Sequence, residues 1–188
     1  MNIMSDFYDF VMENYKAKTT AKDLISMFRE YKLPLFSILF KEELEDTARI
    51  MNHSLSIDPV EKRLVVNRDT PLFIIINLGD KKEGGTHWVL LYIPTYIPTY
   101  FSSKNEKYKK KSEKYKKKSE YPIYFDSYGI APPKEVLKFL EDIGYDSLLY
   151  TISQIQNIRS GGCGQYVFLA AYYIINHSLD DFLLLFKK

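Results

Sequence analysis

Near the start of this chain, apolar residues recur every three to four positions, over residues 4–16, 20–31 and 41–52. That spacing lines one face of an α-helix, so three helices are expected there. The second has a recognisable start at Thr19-Thr20-Ala-Lys-Asp23. Farther along, the pattern shortens to runs of strand length. Leu64-Val-Val66 and Leu72-Phe-Ile-Ile-Ile76 read as buried strands separated by the turn-rich Asn67-Arg-Asp-Thr-Pro71. Val89-Leu-Leu-Tyr-Ile93, Tyr121-Pro-Ile-Tyr-Phe-Asp126 and Leu148-Leu-Tyr-Thr-Ile152 follow as further strands. Between the last two, Pro132-Pro-Lys-Glu-Val136 opens a helix, with proline early and Glu135 in the first turn. Residues 166–175 are almost wholly apolar and predict a buried helix. The expected class is α+β: a mixed central sheet flanked by helices, with residues 1–60 as a helical N-terminal lead-in and the sheet beginning at Leu64.

Size and composition fit one domain over residues 1–188, with 46% hydrophobic and 27% charged residues to build a core and a surface. The longest apolar runs, Leu33 to Phe40 and Tyr166 to Ile175, fall short of a membrane span. The N-terminus has no basic segment followed by an apolar core, so a secretory signal is not expected. A single cysteine, Cys163, suits a reducing intracellular compartment better than a disulfide scaffold. A soluble protein, neither secreted nor membrane-bound, is the expectation.

Charge changes the picture at one place, the repetitive insertion over residues 93–120. Ile93-Pro-Thr-Tyr96 recurs as Ile97 to Tyr100, and Glu106-Lys-Tyr-Lys-Lys-Lys-Ser112 recurs as Glu113 to Ser119. Residues 104–120 hold nine Lys and three Glu, a net +6 in a chain whose formal charge is +2, so the remainder sums to −4. A solvated hairpin tip is the first reading, because loop tips tolerate insertion. The sharper alternative is a polyanion site, in which Lys109, Lys110, Lys111, Lys116, Lys117 and Lys118, interleaved with tyrosines, contact nucleic-acid phosphates.

Cys163 lies in Ser160-Gly-Gly-Cys-Gly164 at the start of the buried helix. Unpaired amides and the macrodipole there favour an anion, and flanking glycines are expected to leave the sulfur open to a substrate backbone. A nucleophilic thiolate needs a base, and the base needs something to orient it. His87, in Gly84-Gly-Thr-His-Trp88, stands at the start of one strand, and Asp126 at the end of another. Antiparallel neighbours would bring those two ends together. Gln156 can donate to the oxyanion that acyl transfer creates. Each also has a plainer reading: Cys163 as a small core residue, His87 as a surface histidine, Asp126 as a turn-forming Asx residue, Gln156 as a solvated polar group. Gly162-Cys-Gly164 is no phosphate loop, since Val167 stands where a third glycine would fall, and three histidines with one cysteine show no metal-ligand spacing.

Taken jointly, Gly85-Thr-His87-Trp88, Tyr124-Phe-Asp126-Ser-Tyr-Gly129 and Ser153-Gln-Ile-Gln156 running on through Ser160-Gly-Gly-Cys163-Gly164 resemble the adenain-type cysteine proteases, relatives of the SUMO and ubiquitin-like-modifier proteases. The likeness covers roughly residues 72–176. It implies Cys163 as nucleophile, His87 as general base and then acid, Asp126 as orienting carboxylate and Gln156 as oxyanion donor. Trp88, Gly162 and Gly164 would shape the substrate cleft. It further implies an endopeptidase that cuts viral or virus-like-element precursor proteins near glycine during assembly, in a host nucleus or virion, with no metal or other cofactor required for the chemistry. Adenovirus proteases use DNA as a cofactor, which favours the polyanion reading of the lysine loop. They also take an activating peptide through a second cysteine that this chain lacks, so a peptide activator would have to bind noncovalently. Two alternatives stay open: an isopeptidase that removes SUMO-like or ubiquitin-like modifiers, and a catalytically silent module that binds nucleic acid through the basic loop.

Overall fold

The computed structural model describes residues 3–14, 19–53, 71–79, 87–94, 121–157 and 161–186. The elements run α1 (Ile3–Asn14), α2 (Ala21–Glu30), β1 (Leu35–Phe40), a 3-10 turn (Lys41–Glu43), α3 (Leu44–His53), β2 (Leu72–Asn77), β3 (Trp88–Ile93), β4 (Ile123–Phe125), α4 (Lys134–Asp142), β5 (Leu149–Tyr150), α5 (Cys163–Asn176) and α6 (Leu179–Leu184). Among the described residues, five strands form one mixed sheet in the order β1-β2-β3-β4-β5. The two central pairings, β2 with β3 and β3 with β4, are antiparallel, and the outer strands β1 and β5 pair parallel to their neighbours. The α+β class expected from the sequence is observed.

Both faces of the sheet are covered, which is why β2 and β3 read as unbroken apolar runs rather than alternating ones. Phe73, Ile75, Leu90, Tyr92, Ile123 and Phe125 point to one side, where α1, α2, α5 and α6 pack through Val11, Leu24, Phe28, Phe168 and Phe182. Ile74, Ile76, Val89, Leu91, Ile93 and Tyr124 point to the other, against Leu44 and Ala48 of α3 and Val136, Phe139 and Leu140 of α4. Helix α5 crosses the first face and is buried on nearly every side from Cys163 to Ile174. A helix so enclosed has no polar stripe, and its position under the sheet fixes where its N-terminus, and so Cys163, must lie.

Local chemistry sets the helix ends. Thr20 Oγ1 accepts from the Asp23 backbone N–H at 3.3 Å, and Asp23 Oδ2 accepts from the Thr20 N–H at 2.8 Å, a reciprocal cap that starts α2 where the sequence predicts. At its other end, Leu33 N–H reaches back to Phe28 O at 2.9 Å, which forces Lys32 into the left-handed region at φ 54°. The equivalent position after α4 is Gly144, with φ 94° and Tyr145 N–H on Leu140 O at 2.8 Å.

Three expectations change. The lead-in is not wholly helical: Leu35–Phe40 is strand β1, parallel to β2 with a register shift between Leu35 and Ser37. An unbroken apolar run gives no period to separate buried helix from strand, and Pro34, which disfavours helical geometry at Leu33, is the local signal for the latter. The strand expected over Leu148–Ile152 contracts to Leu149–Tyr150, and Ile152 is 78% exposed. Helix α6 was not anticipated, although Ser178 caps it by accepting from the Asp181 N–H at 3.1 Å. The expected strand Leu64–Val66, most of the 93–120 insertion and all nine of its lysines, Lys109, Lys110, Lys111, Lys116, Lys117 and Lys118 among them, lie outside the described residues. No helix among the described residues is long and apolar enough to cross a membrane.

Candidate active site

His87 precedes β3 and Asp126 follows β4, and the antiparallel pairing of Leu90 with Phe125 and Leu91 with Tyr124 sets those two ends side by side. His87 Nε2 lies 3.0 Å from Asp126 Oδ1. An ionised carboxylate only accepts, so Nε2 carries the hydrogen and donates it, which leaves Nδ1 as the basic nitrogen of the neutral ring. Nδ1 is buried and has no hydrogen-bond partner among the described residues. The Cys163 thiol couples electrostatically to this ring.

Electrostatics favour a charged pair. Burial by itself pushes the His87 pKa down, but the Asp126 carboxylate and the Cys163 thiol outweigh it and raise the imidazole from 6.5 to about 9. Burial likewise pushes the Cys163 thiol up. His87, with backbone hydrogen bonding from Trp88 and Gly164, more than reverses this and holds the thiol below its ordinary range. The sulfur's residue is the first of α5, and its N-cap, Gly162, offers no side chain to the open amides.

Asp126 forms a turn and also bonds His87. Its carbonyl accepts from the Gly129 N–H at 3.0 Å, closing a turn, and Oδ1 accepts from the Tyr128 N–H at 2.7 Å in an Asx arrangement. The same Oδ1 holds His87, while Oδ2 is buried with no hydrogen-bond partner. Thr151 Oγ1 donates to the Asp126 carbonyl and accepts its N–H, both at 3.0 Å, so the backbone of the carboxylate is pinned to the chain leaving β5. Gly129 has φ 71°, and a Cβ there would stand 2.8 Å from the Ser153 carbonyl carbon, so only glycine lets this turn close on the 151–156 segment.

Gln156 is buried rather than solvated. Ser127 Oγ donates to its Oε1 at 2.6 Å, which orients the amide, and Nε2 donates to the Tyr128 hydroxyl at 3.2 Å. The Gln156 N–H also reaches the Ser127 carbonyl at 3.0 Å. Tyr128 in turn lies over the His87 ring, with centroids 4.7 Å apart and planes 29° from parallel. Cys163, His87, Asp126 and Gln156 are thus brought into one cluster, the first three through direct coupling and the fourth through Tyr128.

Cys163 is only 7% exposed, so its glycines do not leave it widely open. Gly164 is buried, and a Cβ on it would stand 2.6 Å from the Cβ of Thr19, so it makes room for Thr19. Gly162 is partly exposed and a Cβ would meet only ordinary contacts beside Met12, Tyr166 and Gln165. Trp88 is half-buried, and its Nε1 donates to the Thr19 carbonyl at 3.1 Å, tying the start of β3 to the start of α2. Gly84, Gly85, Thr86 and Ser160 lie outside the described residues. Reasoning from sequence gave no place in the site to Tyr128, Ser127, Thr151 or Thr19. Among the described residues no group of three or more His, Cys, Asp or Glu could hold a metal ion.

Comparison of the chain with protein-family models finds no match, and neither does comparison with curated proteins.

Proposed function

We propose that the protein is a cysteine endopeptidase of the adenain-like type. The observation that carries this reading is the His87 ring, bonded through Nε2 to a buried carboxylate and coupled to the chain's only thiol. Such a pair stores a nucleophile and a proton donor together. The Cys163 thiolate attacks a peptide carbonyl, and the resulting oxyanion is held by the Gln156 amide and the backbone N–H of Cys163 at the open end of α5. When the tetrahedral intermediate collapses, the C–N bond breaks and His87 gives its Nδ1 proton to the leaving amine. Water, deprotonated by the same nitrogen, then hydrolyses the thioester and returns the thiol.

A nearly buried sulfur requires a narrow substrate at the scissile bond, which supports cleavage beside glycine. Precursor processing by a virus or virus-like element rests on the sequence resemblance alone. The test is turnover by single variants. Cys163→Ala and His87→Ala should each abolish it while the fold persists, and Gln156→Ala should slow it about 100-fold or more. Short peptides and folded modifier conjugates, assayed side by side, distinguish an endopeptidase from an isopeptidase. Full turnover by Cys163→Ala would end the proposal.

A further inference from the structure

One hydrogen bond does not fix an imidazole. His87 is held at Nε2 by Asp126, and a ring held at one nitrogen can still tilt about that bond and swing Nδ1 away from the sulfur. What covers its face is the ring of Tyr128, 4.7 Å away and nearly parallel. The hydroxyl of that ring accepts from Gln156 Nε2 at 3.2 Å, and its backbone N–H is fixed on Asp126 Oδ1 at 2.7 Å. The turn closed by Gly129 leaves Tyr128 little freedom to depart from this position.

We propose that Tyr128 is a positioning residue, its ring setting the plane of the His87 imidazole and its hydroxyl setting the Gln156 amide, so that base and oxyanion donor keep one fixed relation. The proposal deepens the protease reading and rests on it for the Gln156 half. The two halves separate by substitution. Tyr128→Phe keeps the stack and removes the hydroxyl; Tyr128→Leu removes both. A stack with an imidazolium gains from ring quadrupole and area, so its loss also weakens the charged form of His87, whose other charged neighbours are Asp126 and Cys163.

The first readout needs no substrate. Iodoacetamide alkylates the single cysteine, and its rate against pH reports the thiolate held by His87. Tyr128→Leu should lower the rate at pH 7 about 3- to 10-fold, and Tyr128→Phe by less than about twofold, so that the aromatic ring alone rescues the effect. The second readout is peptide turnover. Tyr128→Phe should reduce kcat about 5- to 10-fold at unchanged KM, and that loss should largely disappear when measured in a Gln156→Ala background.

Melting followed by circular dichroism shows which variants are folded, and Tyr128→Met takes the place of the leucine variant should that one not fold. A folded Tyr128→Leu or Tyr128→Met with the wild-type alkylation profile overturns the positioning of His87. A Tyr128→Phe loss that adds in full to that of Gln156→Ala overturns the positioning of the amide. If wild type cleaves nothing, the protease reading fails with the amide half, while the alkylation series still decides the His87 half.

Discussion

Replacing Asp126 by Asn probes the charge that holds the proposed catalytic pair, Cys163 and His87. Oδ1 accepts from His87 Nε2 at 3.0 Å and from the Tyr128 N–H at 2.7 Å, so an asparagine keeps both bonds by placing its carbonyl oxygen there. Its NH2 then occupies the site of Oδ2, which is buried and has no partner. Two separate costs follow. Stability falls by about 1–3 kcal/mol because a buried donor is left unsatisfied. Independently, the bond to His87 becomes neutral, and the difference between a charge-assisted and a neutral hydrogen bond is about 1–2 kcal/mol. That difference acts on the equilibrium between thiolate–imidazolium and thiol–imidazole, and shifts it roughly 5- to 30-fold toward the uncharged pair. Alkylation of Cys163 by iodoacetamide should therefore slow by that factor between pH 6 and 7. Near pH 10 the variant and wild type should converge, because the thiol ionises there without help. An Asp126→Asn protein that melts cooperatively and matches wild type across the whole range would refute the electrostatic argument.

The remaining expectations concern other links in the fold. Peptide turnover measured as kcat/KM should follow a bell, rising as Cys163 loses its proton at a pH below the ordinary thiol range and falling as His87 loses its own near pH 9; a descending limb at 6.5 would show that Asp126 and the thiol do not raise the imidazole. Gly164→Ala should lower stability by about 1–3 kcal/mol, because its Cβ would lie 2.6 Å from that of Thr19. Thr19→Gly in the same chain should recover part of the loss, and an unchanged melting temperature for Gly164→Ala would contradict the packing described. Lys32→Gly should stabilise by about 1 kcal/mol, since φ 54° suits glycine better than lysine. Thermal melting checks it, with a rise of a few degrees expected and a fall counting against the geometry.

Much of this arrangement could be read from the chain because the residues concerned sit at ends of periodic segments. His87 begins a run of strand length, Asp126 ends another, and Cys163 opens the one helix too apolar to be a surface element. Those positions follow from pattern, and β3 and β4 do pair antiparallel. Gln156, by contrast, has no periodic neighbourhood, and its suggested role came from the resemblance to adenain-type proteases. What stayed hidden was carried by contacts between distant segments. Thr19 lies 69 positions from Trp88, yet its carbonyl takes the indole N–H, and its side chain fills the space that Gly164 leaves. Such an exchange leaves no trace in local pattern, so Gly164 looked like an opening for substrate. Tyr128 looked like a turn residue because it is one; only the antiparallel pairing of β3 with β4 shows that the turn aims its ring at His87. Strand β1 escaped because an unbroken apolar run between helices carries no signature of its edge position.

The most direct test of the central claim is a mass-spectrometric digest profile of a diverse peptide library, with wild type and Cys163→Ala compared under identical conditions. Cuts clustered beside glycine that vanish in the variant are the predicted result. The same cuts from both proteins would contradict it.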